Sequence, residues 1–289
     1  MSEAGAPTAA VMPPLVSTEW LAAELGSPGL VILDATKYMP NEGLDGKDQF
    51  FRCRIPGARF FDIDEVADPE TDLPHMVPAA GRFARLVGAL GIGNDSRVVF
   101  YDQKGLASAA RGWWLMGLFG HDAAAVLDGG LPKWRAEGRA LEAGPQDAPR
   151  PAQFVPSFRA ARLRGIGDML ANQRSGSELV LDARAAGRFD GTAAEPRPGL
   201  PSGHIPGSRN LPYTDLLNPD QTMLPPAALR ARFAAAGVDG ARPVVTSCGT
   251  GVTAAILTLG LAVAGLDQGA LYDGSWTEWA GRADTPKEP

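Results

Sequence analysis

Short aliphatic runs alternate along the chain with stretches of helical periodicity. The runs at 98–101 and 244–246 are valine-rich and carry no charged residue, which is typical of parallel strands that are buried on both faces. Patterns at helical spacing cover four segments, 81–90, 108–119, 229–236 and 253–264. This alternation predicts an α/β protein, with mainly parallel central sheets flanked by helices.

The hydrophobic pattern occurs twice, and the matched segments keep their order at a nearly constant offset. The matched pairs are 30–35 with 179–184, 55–59 with 205–209, 97–102 with 243–248, and 127–134 with 272–279. A period of this length predicts a duplicated domain rather than a solenoid of short repeats.

The duplication divides the chain into segments. We predict a flexible tail over residues 1–13, a first domain over 14–141 and a second domain over 158–282. The stretch 142–157 between them is rich in proline and polar residues without a period, which is typical of an interdomain linker.

Composition narrows the possible partners and location. The 289 residues carry a formal net charge of −6, which argues against nucleic acid as a general partner. Two cysteines cannot form a disulfide framework. The chain begins without a signal-peptide pattern, and no stretch approaches about 18 uninterrupted apolar residues. We therefore expect a cytoplasmic protein without a membrane partner.

Cys248 is the residue most suggestive of chemistry. It follows a predicted strand and precedes a predicted helix, and active sites of open α/β sheets lie at this position. The unpaired N–H groups of a helix N-terminus favour a thiolate. Gly249 and Gly251 let the intervening loop curl, so that several N–H groups can form a nest for an anionic sulfur.

The two cysteines have other possible interpretations. Cys248 as a small buried hydrophobic residue does not account for the glycine-rich loop. Protein tyrosine phosphatases also place a cysteine here, but their loop ends in an arginine at the sixth residue after it, where this chain has Ala254. Cys53 has no glycine loop, and we interpret it as structural or incidentally redox-sensitive.

Three motifs together resemble a known family. They are Cys-Gly-Thr-Gly-Val-Thr at 248–253, Gly-His-Ile-Pro-Gly at 203–207 and Asp-Gly-Ser-Trp-Thr-Glu-Trp at 273–279, within duplicated α/β domains. The chain thereby resembles the two-domain sulfurtransferases of the rhodanese superfamily over nearly its whole length. The resemblance implies that only the second domain is catalytic, and Asp102 stands at the position equivalent to Cys248 in the first.

Within that family the loop is similar to the 3-mercaptopyruvate branch. Thiosulfate-using members have basic residues directly after the cysteine, whereas this chain has Gly249 and Thr250. Thr250 stands where that branch usually has serine. The remaining loop residues, Gly251, Val252 and Thr253, are expected with Gly249 to bind the donor.

The resemblance also implies roles outside the loop. Arg188 and Arg197 match arginines that hold the donor's carboxylate and carbonyl, a task suited to the paired donors of a guanidinium. Asp64 and His75 of the first domain match an array that Thr250 completes at the domain interface. Such an array can move a proton to the departing enolate. The alternative is that His75 only bridges the domains.

These expectations combine into a two-step sulfur transfer through a Cys248 persulfide. The predicted donor is 3-mercaptopyruvate, and the predicted acceptor is cyanide, a small thiol or a thioredoxin-like protein. Scattered histidines and cysteines predict no metal site, and no other cofactor is expected. The alternatives are a thiosulfate:cyanide sulfurtransferase on the same scaffold and a non-catalytic rhodanese-like binding module.

Overall fold

A computed structural model describes residues 10–289, so most of the predicted tail over 1–13 lies outside the described residues. Two five-stranded sheets organise this part of the chain. In each sheet the first strand of the domain lies at one edge, followed in space by the fifth, fourth, second and third strands. All neighbouring strands pair in parallel. The identical strand orders confirm the predicted duplication and the α/β class.

The first domain contains five strands and six helices. In chain order these are β1 (Leu15–Val16), α1 (Thr18–Glu24), β2 (Leu30–Asp34), α2 (Gly46–Arg52), β3 (Arg59–Phe60), α3 (Ile63–Val66), α4 (Ala80–Ala89), β4 (Arg97–Tyr101), α5 (Ala109–Leu118), β5 (Ala124–Leu127) and α6 (Gly130–Ala136). A short 3₁₀ helix, Pro40–Glu42, lies between β2 and α2.

The second domain repeats the plan. Its elements are β6 (Leu163–Arg164), α7 (Ile166–Ser175), β7 (Leu179–Asp182), α8 (Ala186–Phe189), β8 (Arg209–Asn210), α9 (Pro226–Ala235), β9 (Val244–Ser247), α10 (Ala254–Val263), β10 (Ala270–Tyr272) and α11 (Ser275–Gly281). Two 3₁₀ helices, Ala160–Arg162 and Tyr213–Leu216, complete it. No helix in residues 10–289 is long and apolar enough to span a membrane.

The two domains meet through α5 and α10. Every residue of α5 is buried, as is nearly all of α10, so both helices are enclosed on all sides. A single apolar cluster runs through them into both domains. Each helix follows the central strand of its own sheet. The packing of α5 on α10 therefore also brings the loops that precede the two helices close together.

The segment 142–157 runs along the surface of the first domain. At its start, Glu142 pairs with the backbone of Arg54 and accepts a 2.6 Å hydrogen bond from its guanidinium. Near its end, Phe154 is 5% exposed and packs edge-on against Phe83, with 5.8 Å between ring centroids. The segment 142–157 is therefore attached to the first domain near both of its ends.

Truncation of the anchor should destabilise the protein. We expect Phe154→Ala to lower the free energy of unfolding by about 3 kcal/mol, because it removes a buried ring and leaves a cavity. Urea denaturation followed by tryptophan fluorescence measures the change. Val155→Ala is the matched control, since that side chain is 60% exposed and should cost less than about 0.5 kcal/mol. Equal effects of the two substitutions would contradict an anchoring role.

Candidate active site

Cys248 lies directly after β9, at the carboxyl edge of the second sheet, and is 2% exposed. Its backbone is fixed by the start of α11. The N–H of Cys248 donates to Ser275 Oγ at 3.2 Å, and its carbonyl accepts from the N–H of Trp276 at 2.9 Å. Ser275 itself adopts a left-handed backbone, with φ of 50°. The motif 273–279 therefore holds the backbone of Cys248 in place, a role that the sequence of the motif does not reveal.

The loop after Cys248 forms an open cradle. Gly251 has φ of 78°, and a Cβ there would lie 2.9 Å from the carbonyl oxygen of Asp273, so a larger residue does not fit. Within the described part of the chain, the N–H groups of residues 249–253 donate to no protein acceptor. These donors remain available to an anionic group held at the cysteine.

The first domain shows what such a cradle holds. Asp102, the counterpart of Cys248, accepts hydrogen bonds of 2.8 to 3.0 Å from four backbone N–H groups, those of Lys104, Ala107, Ser108 and Ala109. A carboxylate thus fills the nest of the first domain from within. The equivalent loop of the second domain carries a sulfur instead, and this difference supports an anion-binding function there.

Arg188 is placed above the loop by a buried carboxylate. Its guanidinium donates to both oxygens of Glu195, at 3.1 and 2.6 Å, and Glu195 also accepts from Arg184 at 2.8 Å. A Cβ on Gly249 would lie 3.0 Å from Arg188 Nη2, so this glycine leaves room for the guanidinium. The orienting role of Glu195 was missed by sequence reasoning, although its position beside Arg197 was a signal.

Arg197 lies in the same cavity without a carboxylate partner. Among residues 10–289, its half-buried guanidinium makes no hydrogen bond and no ion pair with another protein group. Burial lowers the pKa of Arg197 from its usual value, since a partly desolvated cation is disfavoured. An anionic ligand in the cavity would relieve this cost.

His75 and Thr250 meet across the domain interface. His75 Nδ1 lies 2.8 Å from Thr250 Oγ1, and Nε2 lies 3.1 Å from Asp64 Oδ1. The carboxylate can only accept, so the ring carries its hydrogen on Nε2, and Nδ1 accepts the hydroxyl hydrogen of Thr250. The structure therefore brings the three predicted array residues into one hydrogen-bonded chain.

Two pKa shifts keep the hydrogen-bonded series of Asp64, His75 and Thr250 in one protonation state. The hydrogen bond from His75, together with an ion pair to Lys37, holds the pKa of Asp64 well below its usual range. Burial lowers the pKa of His75, which is only partly countered by Asp64. The imidazole is therefore neutral and the carboxylate ionised near neutral pH. Lys37 was not identified from the sequence, where it is an isolated lysine.

The cavity that holds these groups has a volume of about 200 Å³ and is lined from both domains. The predicted residues on its wall are Cys248, Gly249, Thr250, Val252, Thr253, Arg188, Arg197 and His75. Asp64 lies behind His75, and the carbonyl of Gly251 faces Arg111 rather than the cavity. Cys53 is partly buried at the end of α2 and does not line the cavity.

The chain is similar to known sulfurtransferases over nearly its full length. Human 3-mercaptopyruvate sulfurtransferase is 42% identical over 275 residues, covering 93% of this chain and 92% of the relative. Bovine thiosulfate sulfurtransferase is 40% identical over 276 residues, with the same coverage of 93% and 92%.

Solved structures agree with this similarity. The crystal structure of SseA from Escherichia coli, described with the 3-mercaptopyruvate sulfotransferases, superposes with a TM-score of 0.83 at 33% identity, covering 92% of this chain and 99% of that one. The family model of the rhodanese-like domain matches residues 17–137 and again residues 166–282. The chain therefore belongs to the rhodanese-like family, with two copies of the domain.

Proposed function

We propose that this protein is a 3-mercaptopyruvate sulfurtransferase that carries the transferred sulfur as a persulfide on Cys248. One arrangement supports the proposal above all. A cysteine in a loop of unpaired N–H groups shares a small cavity with two guanidinium groups and a neutral histidine. A three-carbon keto acid with a thiol presents a carboxylate, a carbonyl and a sulfur to these three kinds of group.

Donor binding is assigned to the arginines. Arg197, which has no carboxylate partner in the described chain, takes the donor carboxylate through paired N–H groups. Arg188 is already oriented by Glu195 and donates to the carbonyl oxygen, where negative charge develops as the C–S bond breaks. Two cations on one side of the cavity thus leave the donor sulfur directed towards the loop of Cys248.

The first step forms the persulfide. The Cys248 thiolate attacks the donor sulfur, an S–S bond forms, and the bond between sulfur and the methylene carbon breaks. The electrons of that bond remain on the enolate of pyruvate. The donor's own thiol proton passes to the enolate carbon, so the products are pyruvate and the Cys248 persulfide anion. The N–H groups of residues 249–253 stabilise the terminal sulfur.

The array of Thr250, His75 and Asp64 moves that proton. His75 Nδ1 accepts it through the hydroxyl of Thr250, and the ionised Asp64 stabilises the imidazolium that forms. The same path returns the proton to the enolate. In the second step the terminal sulfur is attacked by the acceptor, for which we propose cyanide, a small thiol or a thioredoxin-like protein, and the Cys248 thiolate is regenerated.

Thiosulfate is the competing donor on this scaffold. One relative at 40% identity is a thiosulfate sulfurtransferase, and Lys37 and Lys104 place two further cations at the cavity wall. Both lysines are engaged, however, by Asp64 and by Glu42. Because Gly249 and Thr250 follow the cysteine, the loop itself has no side-chain cation that could bind the dianionic thiosulfate. This arrangement favours the keto acid.

Donor preference tests the proposal directly. We expect rapid pyruvate release from 3-mercaptopyruvate and much slower thiocyanate formation from thiosulfate and cyanide, with both activities abolished in Cys248→Ser. Steady-state assays at equal donor concentrations measure the two rates. Preference for thiosulfate would instead assign the alternative donor. Absence of both activities in the unsubstituted protein would favour a binding module.

The role of Arg197 predicts a selective effect on donor binding. Arg197→Met should raise KM for 3-mercaptopyruvate by about tenfold or more, because a charge-assisted pair to the carboxylate contributes about 1.5–3 kcal/mol. Arg162→Met is the matched control. Arg162 is also a half-buried arginine whose pKa is lowered by burial, but it lies away from this cavity. A similar rise in KM for both variants would contradict carboxylate binding by Arg197.

The array predicts a pH dependence. Activity needs a neutral His75, so pyruvate release should fall as pH drops through the pKa of His75, which burial places below the ordinary value of about 6.5. Thr250→Val, which removes the hydroxyl, should lower kcat by about 100-fold and abolish this acid limb. Thr250→Ser keeps the hydroxyl and should retain both. An unchanged acid limb in Thr250→Val would rule the array out as its source.

A further inference from the structure

We propose that Arg111, a residue of the first domain outside the cavity, is a positioning residue that holds His75 against the loop of Cys248. This inference rests on the proposed function, since it concerns the array that moves the proton. Arg111 lies in the first turn of α5, at the contact with α10, and its side chain is 1% exposed. It does not line the cavity.

The guanidinium contacts the backbone on both sides of the hydrogen bond between His75 and Thr250. Nη2 donates to the carbonyl oxygen of His75 at 2.6 Å. Nη1 donates to the carbonyl oxygen of Gly251, the residue after Thr250, at 3.3 Å. A single rigid group therefore determines how closely the two halves of the array approach each other.

Asp273 of the second domain fixes the guanidinium in place. Its Oδ1 accepts from Arg111 at 2.7 Å, and its Oδ2 accepts from the N–H of Val77 at 2.6 Å. The same carboxylate thus holds both the cation and the chain just beyond His75. Asp273 also begins the motif whose Ser275 holds the backbone of Cys248. The nucleophile and the array are linked through this one ion pair.

The backbone of His75 needs such support. Its φ of 63° is left-handed, a conformation that is unfavourable for a residue with a side chain. Arg111 holds the carbonyl of this residue, and Asp273 holds an N–H two residues later, so the turn is braced on both sides. Without the brace, the chain is free to relax to an ordinary conformation that moves the imidazole away from Thr250.

The chemistry of arginine suits this task. The planar guanidinium reaches three acceptors in fixed directions and lies over the ring of Trp114, 4.7 Å from its centroid. A lysine ammonium is a compact charge on a flexible stem and does not reproduce this fork. Arg111→Lys therefore keeps the charge and removes the geometry.

Arg111→Lys tests the proposal, with Arg54→Lys as the matched control. Arg54 is equally buried in the first domain, lies over Phe50 and pairs with Glu142, but is outside the cavity wall. We expect Arg111→Lys to lower kcat by about 100-fold, with KM for 3-mercaptopyruvate changed less than threefold, because displacement of the array leaves both donor-binding arginines in place. Arg54→Lys should leave kcat unchanged when the rate is divided by the concentration of protein whose Cys248 can be alkylated.

The Arg111→Lys substitution in the Thr250→Val variant distinguishes a positioning role from a non-specific disturbance of the structure. If Arg111 acts through the array, Arg111→Lys should cost little further kcat once Thr250→Val has removed the hydroxyl. Multiplying effects of the two substitutions would overturn the proposal, as would an unchanged kcat in Arg111→Lys or an equal loss in Arg54→Lys. Asp273→Asn gives the same comparison should Arg111→Lys not fold.

A spectroscopic measurement makes the outcome independent of the donor. The chain has three histidines, so the ¹⁵N signals of the labelled imidazoles can be assigned by substitution. In the intact protein, His75 should show one fixed neutral tautomer, with the hydrogen on Nε2. In Arg111→Lys this signature should give way to a mixture of tautomers. Its persistence would refute the positioning role even if 3-mercaptopyruvate proved not to be the donor.

Discussion

The buried ion pair between Arg111 and Asp273 is the contact on which the geometry of the site depends. It joins the first turn of α5 to the residue after β10, and its hydrogen bonds extend to the backbones of His75, Val77 and Gly251. Burial of two charges is costly, and breaking such a pair by removing one partner commonly costs about 3–5 kcal/mol. Its presence at a domain interface is explained better by geometric specificity than by a gain in stability.

The candidate active site needs both domains, because neither contains all of its groups. The second domain provides the thiol, the N–H donors and both arginines, whereas the first provides the imidazole and the carboxylate behind it. In the first domain the equivalent loop is occupied by the carboxylate of Asp102, which accepts four backbone hydrogen bonds. One copy of the duplicated loop therefore holds a permanent anion, while the other is open to an anion formed during the reaction.

Much of the fold was predictable because its signals are local. Valine-rich runs and helical periodicity identified β4, β9, α4, α5, α9 and α10 to within three residues at each end, and the repeat identified the duplication. The placement of Cys248 at the carboxyl end of β9 was predictable because strand, cysteine, glycine loop and helix are consecutive in sequence. The motifs also indicated Arg188, Arg197, His75 and Asp64, although only by resemblance. Lys37 and Arg111 carry no local signal, since an isolated cation has no sequence feature that reveals its partner.

The sequence by itself determined the α/β class, the duplication and the position of Cys248 between a strand and a glycine-containing loop, because these follow from periodicity and from neighbours along the chain. Only the tertiary structure decided that Glu195 orients Arg188, that His75 adopts φ of 63°, and that Arg111 lies between His75 and Gly251. The last of these contacts joins residues that are 140 positions apart in the sequence. Hydrogen-bond geometry between such distant residues is set by how α5 packs on α10, which no pattern within either segment specifies.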